Sequence, residues 1–162
     1  MHYLIDGYNV INSSDIFSAP TLEGRRNKLF EFIQFNRPHG NIRNSISVVF
    51  DCKLKNLYES KGYNKSYIGN IEVIFSDGIA SADDVITELI EESQNPYNIT
   101  IVTNDKGIRR RTAPSGAKYE SVEMFLSKGF KQKIVKKRSA KYFESNGNEQ
   151  IDEELKKLWL KE

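Results

Sequence analysis

Four short runs dominated by Ile, Val, Phe and Tyr, at residues 3–5, 46–50, 71–75 and 99–103, are separated by longer stretches of a different rhythm. Their nearly continuous apolar character reads as strands buried on both faces. The stretch Leu22–Asn36 carries Leu29, Phe30, Phe32 and Ile33 at helical spacing, and residues 82–93 carry Val85, Ile86, Leu89 and Ile90. Both read as helices with one apolar face. Strands alternating with helices imply a mostly parallel sheet covered by helices, the α/β class, whose sites lie beyond the carboxyl ends of the strands. Shorter helices are expected over 53–60 and 121–128. Another is expected over 150–160, docking through Ile151, Leu155, Leu158 and Trp159.

Composition narrows the chemistry. The 162 residues, 38% hydrophobic and 28% charged with a net charge of +2, suit one folded domain rather than a disordered polyelectrolyte. No apolar run approaches the roughly 20 residues that cross a bilayer, so no membrane partner is expected. His2 to Asp6 run directly into a strand, so no secretory leader is expected. The lone Cys52 cannot form an internal disulfide, and with two distant histidines it cannot close a zinc site. A reducing, cytoplasmic setting is the expectation, and any catalysis rests on carboxylates.

The charge is unevenly distributed. Residues 1–105 hold 9 basic and 14 acidic groups, a balance of −5, whereas residues 106–141 hold 12 basic and 2 acidic, a balance of +10. Residues 142–162 return to −3, with 3 basic and 6 acidic. Within the middle block, Lys106, Arg109, Arg110, Arg111, Lys131, Lys133, Lys136, Lys137 and Arg138 are candidate contacts to a polyphosphate backbone. A solvated face or basic connector is the alternative for the later part of the run. The expected organisation is a domain over 1–128, a basic segment over 129–148, and a terminal helix within 149–162 packed on the same domain.

The aspartates fall at strand ends. Asp6 follows the first strand, Asp51 the second, and Asp105 closely follows the fourth; Asp83 and Asp84 open the helix after the third. In a parallel sheet these positions share one edge. Converging carboxylates repel, and a divalent cation offsets that repulsion; oxygen ligands without His or Cys select magnesium or manganese. Each acid also has a local reading. Asp6-Gly7 looks like a turn, Ser81 with Asp84 makes a capping box, and Asp105 could sit in a first helical turn behind a Thr103 or Asn104 cap. Asp83 has no such local duty and is the stronger candidate for a direct metal contact.

The segments Asp6-Gly7-Tyr8-Asn9-Val10-Ile11, Val48-Val49-Phe50-Asp51, Ala82-Asp83-Asp84 and Val102-Thr103-Asn104-Asp105, in that order, resemble the YacP-like NYN domains, a branch of the PIN-like nucleases. The resemblance implies a three-layer α/β/α sandwich with a mostly parallel central sheet, and metal-dependent endoribonuclease activity, in some members on ribosome-associated messenger RNA. It assigns Asp6, Asp83 and Asp105 to the shared acidic centre, Asp51 to an acid of the YacP branch, Asn9 to the motif asparagine and Asp84 to a secondary place. This chain has Ala80 and Ser81 where relatives often carry Glu-Thr.

The expected chemistry is hydrolysis of an RNA phosphodiester at an ion, Mg2+ or Mn2+, on Asp6, Asp83 and Asp105, leaving 5′-phosphate and 3′-hydroxyl ends. Asn9 would hold a water or phosphate oxygen, or close the turn; Tyr8 would stack an unpaired base, or be buried under the loop. The basic residues would hold single-stranded or messenger RNA, with the ribosome as a further candidate partner. Two alternatives remain: a non-catalytic RNA- or ribosome-binding module, and a phosphoryl-transfer domain using Asp51, which lacks the paired acids that such domains carry.

Overall fold

In the computed structural model, described for residues 1–52, 63–77 and 79–132, one six-stranded sheet has the order β3-β4-β2-β1-β5-β6. The strands are β1 (His2–Asp6), β2 (Ser45–Phe50), β3 (Tyr63–Ile68), β4 (Ile71–Ser76), β5 (Ile99–Val102) and β6 (Lys118–Glu120). All neighbours run parallel except β3 and β4, an antiparallel pair joined through Gly69 at φ 61°. The helices are α1 (Gly7–Asn12), α2 (Leu22–Asn36), α3 (Ala82–Glu91), α4 (Lys106–Thr112) and α5 (122–132).

The pleat explains the unbroken apolar runs. Tyr3, Ile5, Ile46, Val48 and Val73 pack with residues of α1, α2 and α5, while Leu4, Val49, Ile74 and Ile101 pack with residues of α3 and α4. Successive side chains thus enter two separate cores, so a strand covered on both faces needs apolar residues at every position. The three-layer α/β/α arrangement follows.

Helix α2 spans the expected residues because both ends are fixed locally. Thr21 Oγ1 accepts from the Gly24 amide at 3.0 Å, and Arg37, at φ 47°, ends the helix in the left-handed conformation. Helix α5 continues past the expected 128, with Phe130 edge-on to Phe32 at 5.4 Å. The helices expected over 53–60 and 150–160, and the later basic run, lie outside the described residues.

The Asp6-Gly7 pair does not make a simple turn. Gly7 opens α1, and a Cβ there would stand 2.2 Å from the Phe50 ring. The space is taken by the aromatic core, so Gly7→Ala forces ring or helix to move. We expect it to cost about 1–3 kcal/mol, read as a lower urea midpoint at unchanged m-value; an unchanged midpoint would contradict the packing.

Candidate active site

Parallel β1, β2 and β5 deliver their carboxyl ends side by side, and each ends on, or is closely followed by, an aspartate poised at a helix start. Asp6 caps α1, its Oδ1 accepting from the Asn9 amide at 3.2 Å. Asp51 Oδ1 accepts from the Ala82 amide at 2.6 Å, which ties the end of β2 to the start of α3. Asp105 caps α4 by accepting from the Gly107 and Ile108 amides. It is therefore the cap itself, rather than lying behind one supplied by Thr103 or Asn104. Unsatisfied amides at helix starts carry partial positive charge, which lets carboxylates gather at this edge.

Thr103 connects two of these acids. Its hydroxyl donates to Asp6 Oδ2 at 3.1 Å and accepts from the Asp105 amide at 3.0 Å. Asn9 Oδ1 accepts from the Asn104 amide at 2.8 Å, bracing the α1 start against the end of β5. Asn104 in turn accepts from the Val122 amide at 3.0 Å and donates to Glu123 at 2.8 Å. Asn9 and Asn104 thus set the shape of the edge. The sequence reading did not single out Thr103 as a site residue, although its place in Thr103-Asn104-Asp105 was the available signal.

Asp84 behaves as its spacing from Ser81 predicts: the Ser81 amide donates to it at 3.0 Å, and the Asp84 amide donates to Ser81 Oγ at 3.2 Å. Arg111 differs from expectation. It reaches from α4 to α3, with Nη1 3.0 Å from Asp84 Oδ1 and Nη2 3.0 Å from Asp83 Oδ2. Lys106, Arg109 and Arg110 line a separate cleft of about 460 Å³ with Tyr119, over whose ring the Arg109 guanidinium lies at 5.5 Å. Lys131 is exposed on α5; Lys133, Lys136, Lys137 and Arg138 fall outside the described residues.

Electrostatics mark Asp6 as the strained member. Burial, reinforced by repulsion from Asp83 and Asp51, outweighs its two hydrogen bonds and pushes its carboxyl up to about 6. Asp83 is also raised, by burial first and then by Asp105, against the pull of Arg111. Asp84 is lowered by its bonds to Ser81 and by Arg111. These mutual influences bring Asp6, Asp51, Asp83 and Asp105 into one electrostatic neighbourhood.

Among the described residues, no three His, Cys, Asp or Glu side chains stand close enough together to cage an ion. What the edge offers is carboxylate oxygen without nitrogen or sulfur. That donor chemistry fits a hard cation such as magnesium, which keeps several waters and takes one or two carboxylates beside substrate phosphate.

The model of the YacP-like NYN domain matches residues 3–162. The chain belongs to the YacP-like NYN family. This is a family of RNase-type, PIN-like nuclease domains, which act on RNA and generally use divalent metals. The crystal structure of a tryptophan-to-leucine mutant of Rae1 (YacP) from Bacillus subtilis is similar at TM-score 0.70 and 22% identity, covering 89% of this chain and 84% of that one. A second crystal structure of Rae1 (YacP) from Bacillus subtilis gives TM-score 0.64 and 23% identity over 99% of this chain and 93% of that one. At these identities the likeness carries the fold of this NYN domain. No curated protein matches the chain. Among the described residues of this YacP-like domain, no helix is long and apolar enough to cross a membrane.

Proposed function

We propose that the chain is a metal-dependent endoribonuclease that hydrolyses RNA phosphodiester bonds at the carboxylate edge. The observation that carries this reading is the meeting of Asp6, Asp51, Asp83 and Asp105, from four separate segments, in one neighbourhood where burial and mutual repulsion raise Asp6 and Asp83. Capping explains single acids at helix starts but not their mutual repulsion, and perturbed carboxylates gather where chemistry or ion binding needs them.

One or two carboxylates drawn from Asp6, Asp83 and Asp105 would hold the ion, magnesium or manganese, with waters and the substrate phosphate completing its shell. When bound, the ion supplies Lewis acidity that makes water a competent nucleophile near neutral pH and offsets charge on the phosphate. Asp6 presents its carboxylate in a fixed orientation because the Asn9 amide and Thr103 hydroxyl hold both oxygens. Asp51 braces the α3 start that presents Asp83, and Asp84 maintains that helix end. Arg111 neutralises the Asp83 side in the absence of substrate and stands within reach of an incoming phosphate. Lys106, Arg109 and Arg110 form a backbone contact on the α4 side, and Lys131, Lys133, Lys136, Lys137 and Arg138 are further candidate RNA contacts by their charge alone. The preferred substrate is single-stranded or messenger RNA in the cytoplasm, with engagement at the ribosome as one setting.

One observation favours a second reading, an RNA- or ribosome-binding module with idle acids: Arg111 already pairs with Asp83 and Asp84. The two readings separate on incubating the protein with single-stranded, structured and translating RNA in magnesium, manganese or EDTA. Internal cuts bearing 5′-phosphate and 3′-hydroxyl ends, lost in EDTA, are expected. Intact RNA under every condition, with binding retained, would establish the module instead.

A further inference from the structure

On the α2 side of the acidic edge, a cleft of about 590 Å³ opens between Tyr8, Arg25, Arg26, Asp51 and Phe75, with Leu22 on its wall. The Arg26 guanidinium lies 5.2 Å from the Phe75 ring centroid and 5.8 Å from that of Phe50, and donates to the Tyr8 hydroxyl at 3.4 Å. Arg25 donates to the Ile11 carbonyl at 3.2 Å and to Asn12 Oδ1 at 2.9 Å. Among the described residues, ion pairs form at Lys65, Arg111 and Lys128, so neither Arg25 nor Arg26 has a carboxylate partner.

A half-buried guanidinium without a counter-anion is costly, and aromatic faces compensate only in part. Both cations line the same cleft as two aromatic side chains, next to the acids. A monoanionic ligand with a flat, π-rich part would satisfy these groups together: phosphate on the cations, ring against the aromatics.

We propose that this cleft holds one unpaired nucleotide of the RNA, its phosphate on Arg25 and Arg26 and its base against Tyr8 and Phe75, beside the phosphate to be cut. The inference rests on the nuclease reading for its choice of RNA. With the Lys106, Arg109 and Arg110 cleft on the α4 side, it makes the strand cross the acidic edge from one face of the sheet to the other. A duplex is too thick to offer a single base to the cleft, so the site selects unpaired RNA.

The test measures binding of a short fluorescein-labelled single-stranded RNA by anisotropy in EDTA, where no cutting occurs. Arg26→Gln is expected to weaken binding about tenfold and to reduce the salt slope by about one phosphate contact. Leu22→Glu adds a carboxylate at an exposed position in the first turn of α2, where the helix tolerates it, and is expected to weaken binding about three- to tenfold. An abasic site walked along the RNA should weaken wild-type binding about fivefold or more at one position, with no further loss in Tyr8→Leu. Should Tyr8→Leu or Arg26→Gln lower the melting temperature by more than a few degrees, Leu22→Glu decides alone. Wild-type affinity in Leu22→Glu, or the absence of any abasic position coupled to Tyr8 in a folded variant, overturns the proposal. Because no step requires cleavage, these failures leave the nuclease reading standing, whereas uncut RNA in magnesium and manganese sinks that reading without touching the binding result.

Discussion

Asp6→Asn is expected to abolish RNA cleavage, by about a thousandfold or more, while making the ion-free protein more stable at neutral pH. The stability effect follows from the raised carboxyl. An Asp with an unfolded value near 3.8 and a folded value of about 6 binds its proton more tightly in the folded state. Wild-type stability therefore falls as pH rises from about 4 through 6, and the full penalty is present above that window. At roughly 1.4 kcal/mol for each pH unit of separation, the penalty at pH 7–8 is about 1–3 kcal/mol. Asparagine carries no such penalty, and its side chain can still accept from the Asn9 amide as an N-cap. Urea unfolding in EDTA should show Asp6→Asn more stable at pH 7.5, with the gain fading below pH 6 and absent near pH 4. Added manganese should stabilise the wild type and leave the variant unmoved. A variant less stable than wild type at pH 7.5 would contradict the burial-dominated account of Asp6, and full activity would remove Asp6 from the chemistry.

The second large effect is a contrast between adjacent acids. Asp83→Asn is expected to lower cleavage by about a hundredfold or more, because it removes a carboxylate that Asp51 and Asp105 crowd. Asp84→Asn should instead weaken a helix cap, costing about 1 kcal/mol, and change the rate less than about tenfold. Both variants lose one contact to Arg111, so loss of the ion pair alone cannot explain a difference between them. Single-turnover cleavage alongside urea unfolding measures both quantities. Equal rate losses would make the Arg111 bridge, rather than the Asp83 carboxylate, the functional unit.

The legible parts of the fold were those with a local or periodic signature. Helix α2 was readable from Leu29, Phe30, Phe32 and Ile33 at helical spacing in its second half; the Ser81–Asp84 box is likewise complete within four residues. Strand β3 was missed because it lies at the sheet edge, where Asn64, Lys65 and Ser66 face solvent and no apolar run forms. Strand β6 has three residues, and α1 and α4 are too short for a period to appear. Asp6-Gly7 looked like a turn because the ring that Gly7 accommodates belongs to Phe50, far along the chain.

By itself the sequence determined the layered α/β class, the parallel sense of the central strands and the placing of acids at strand ends, because burial on both faces and helix-start chemistry are written residue by residue. Tertiary structure decided which carboxylates are strained and which cations are already engaged. Arg111 turns from the expected RNA track onto Asp83 and Asp84 because α3 and α4 pack side by side. Among the described residues Arg26 has no acid partner, because α2 lays it over Phe50 and Phe75. Such pairings depend on distances between segments remote in sequence, and electrostatic energy depends on those distances and on burial, neither of which a linear pattern contains.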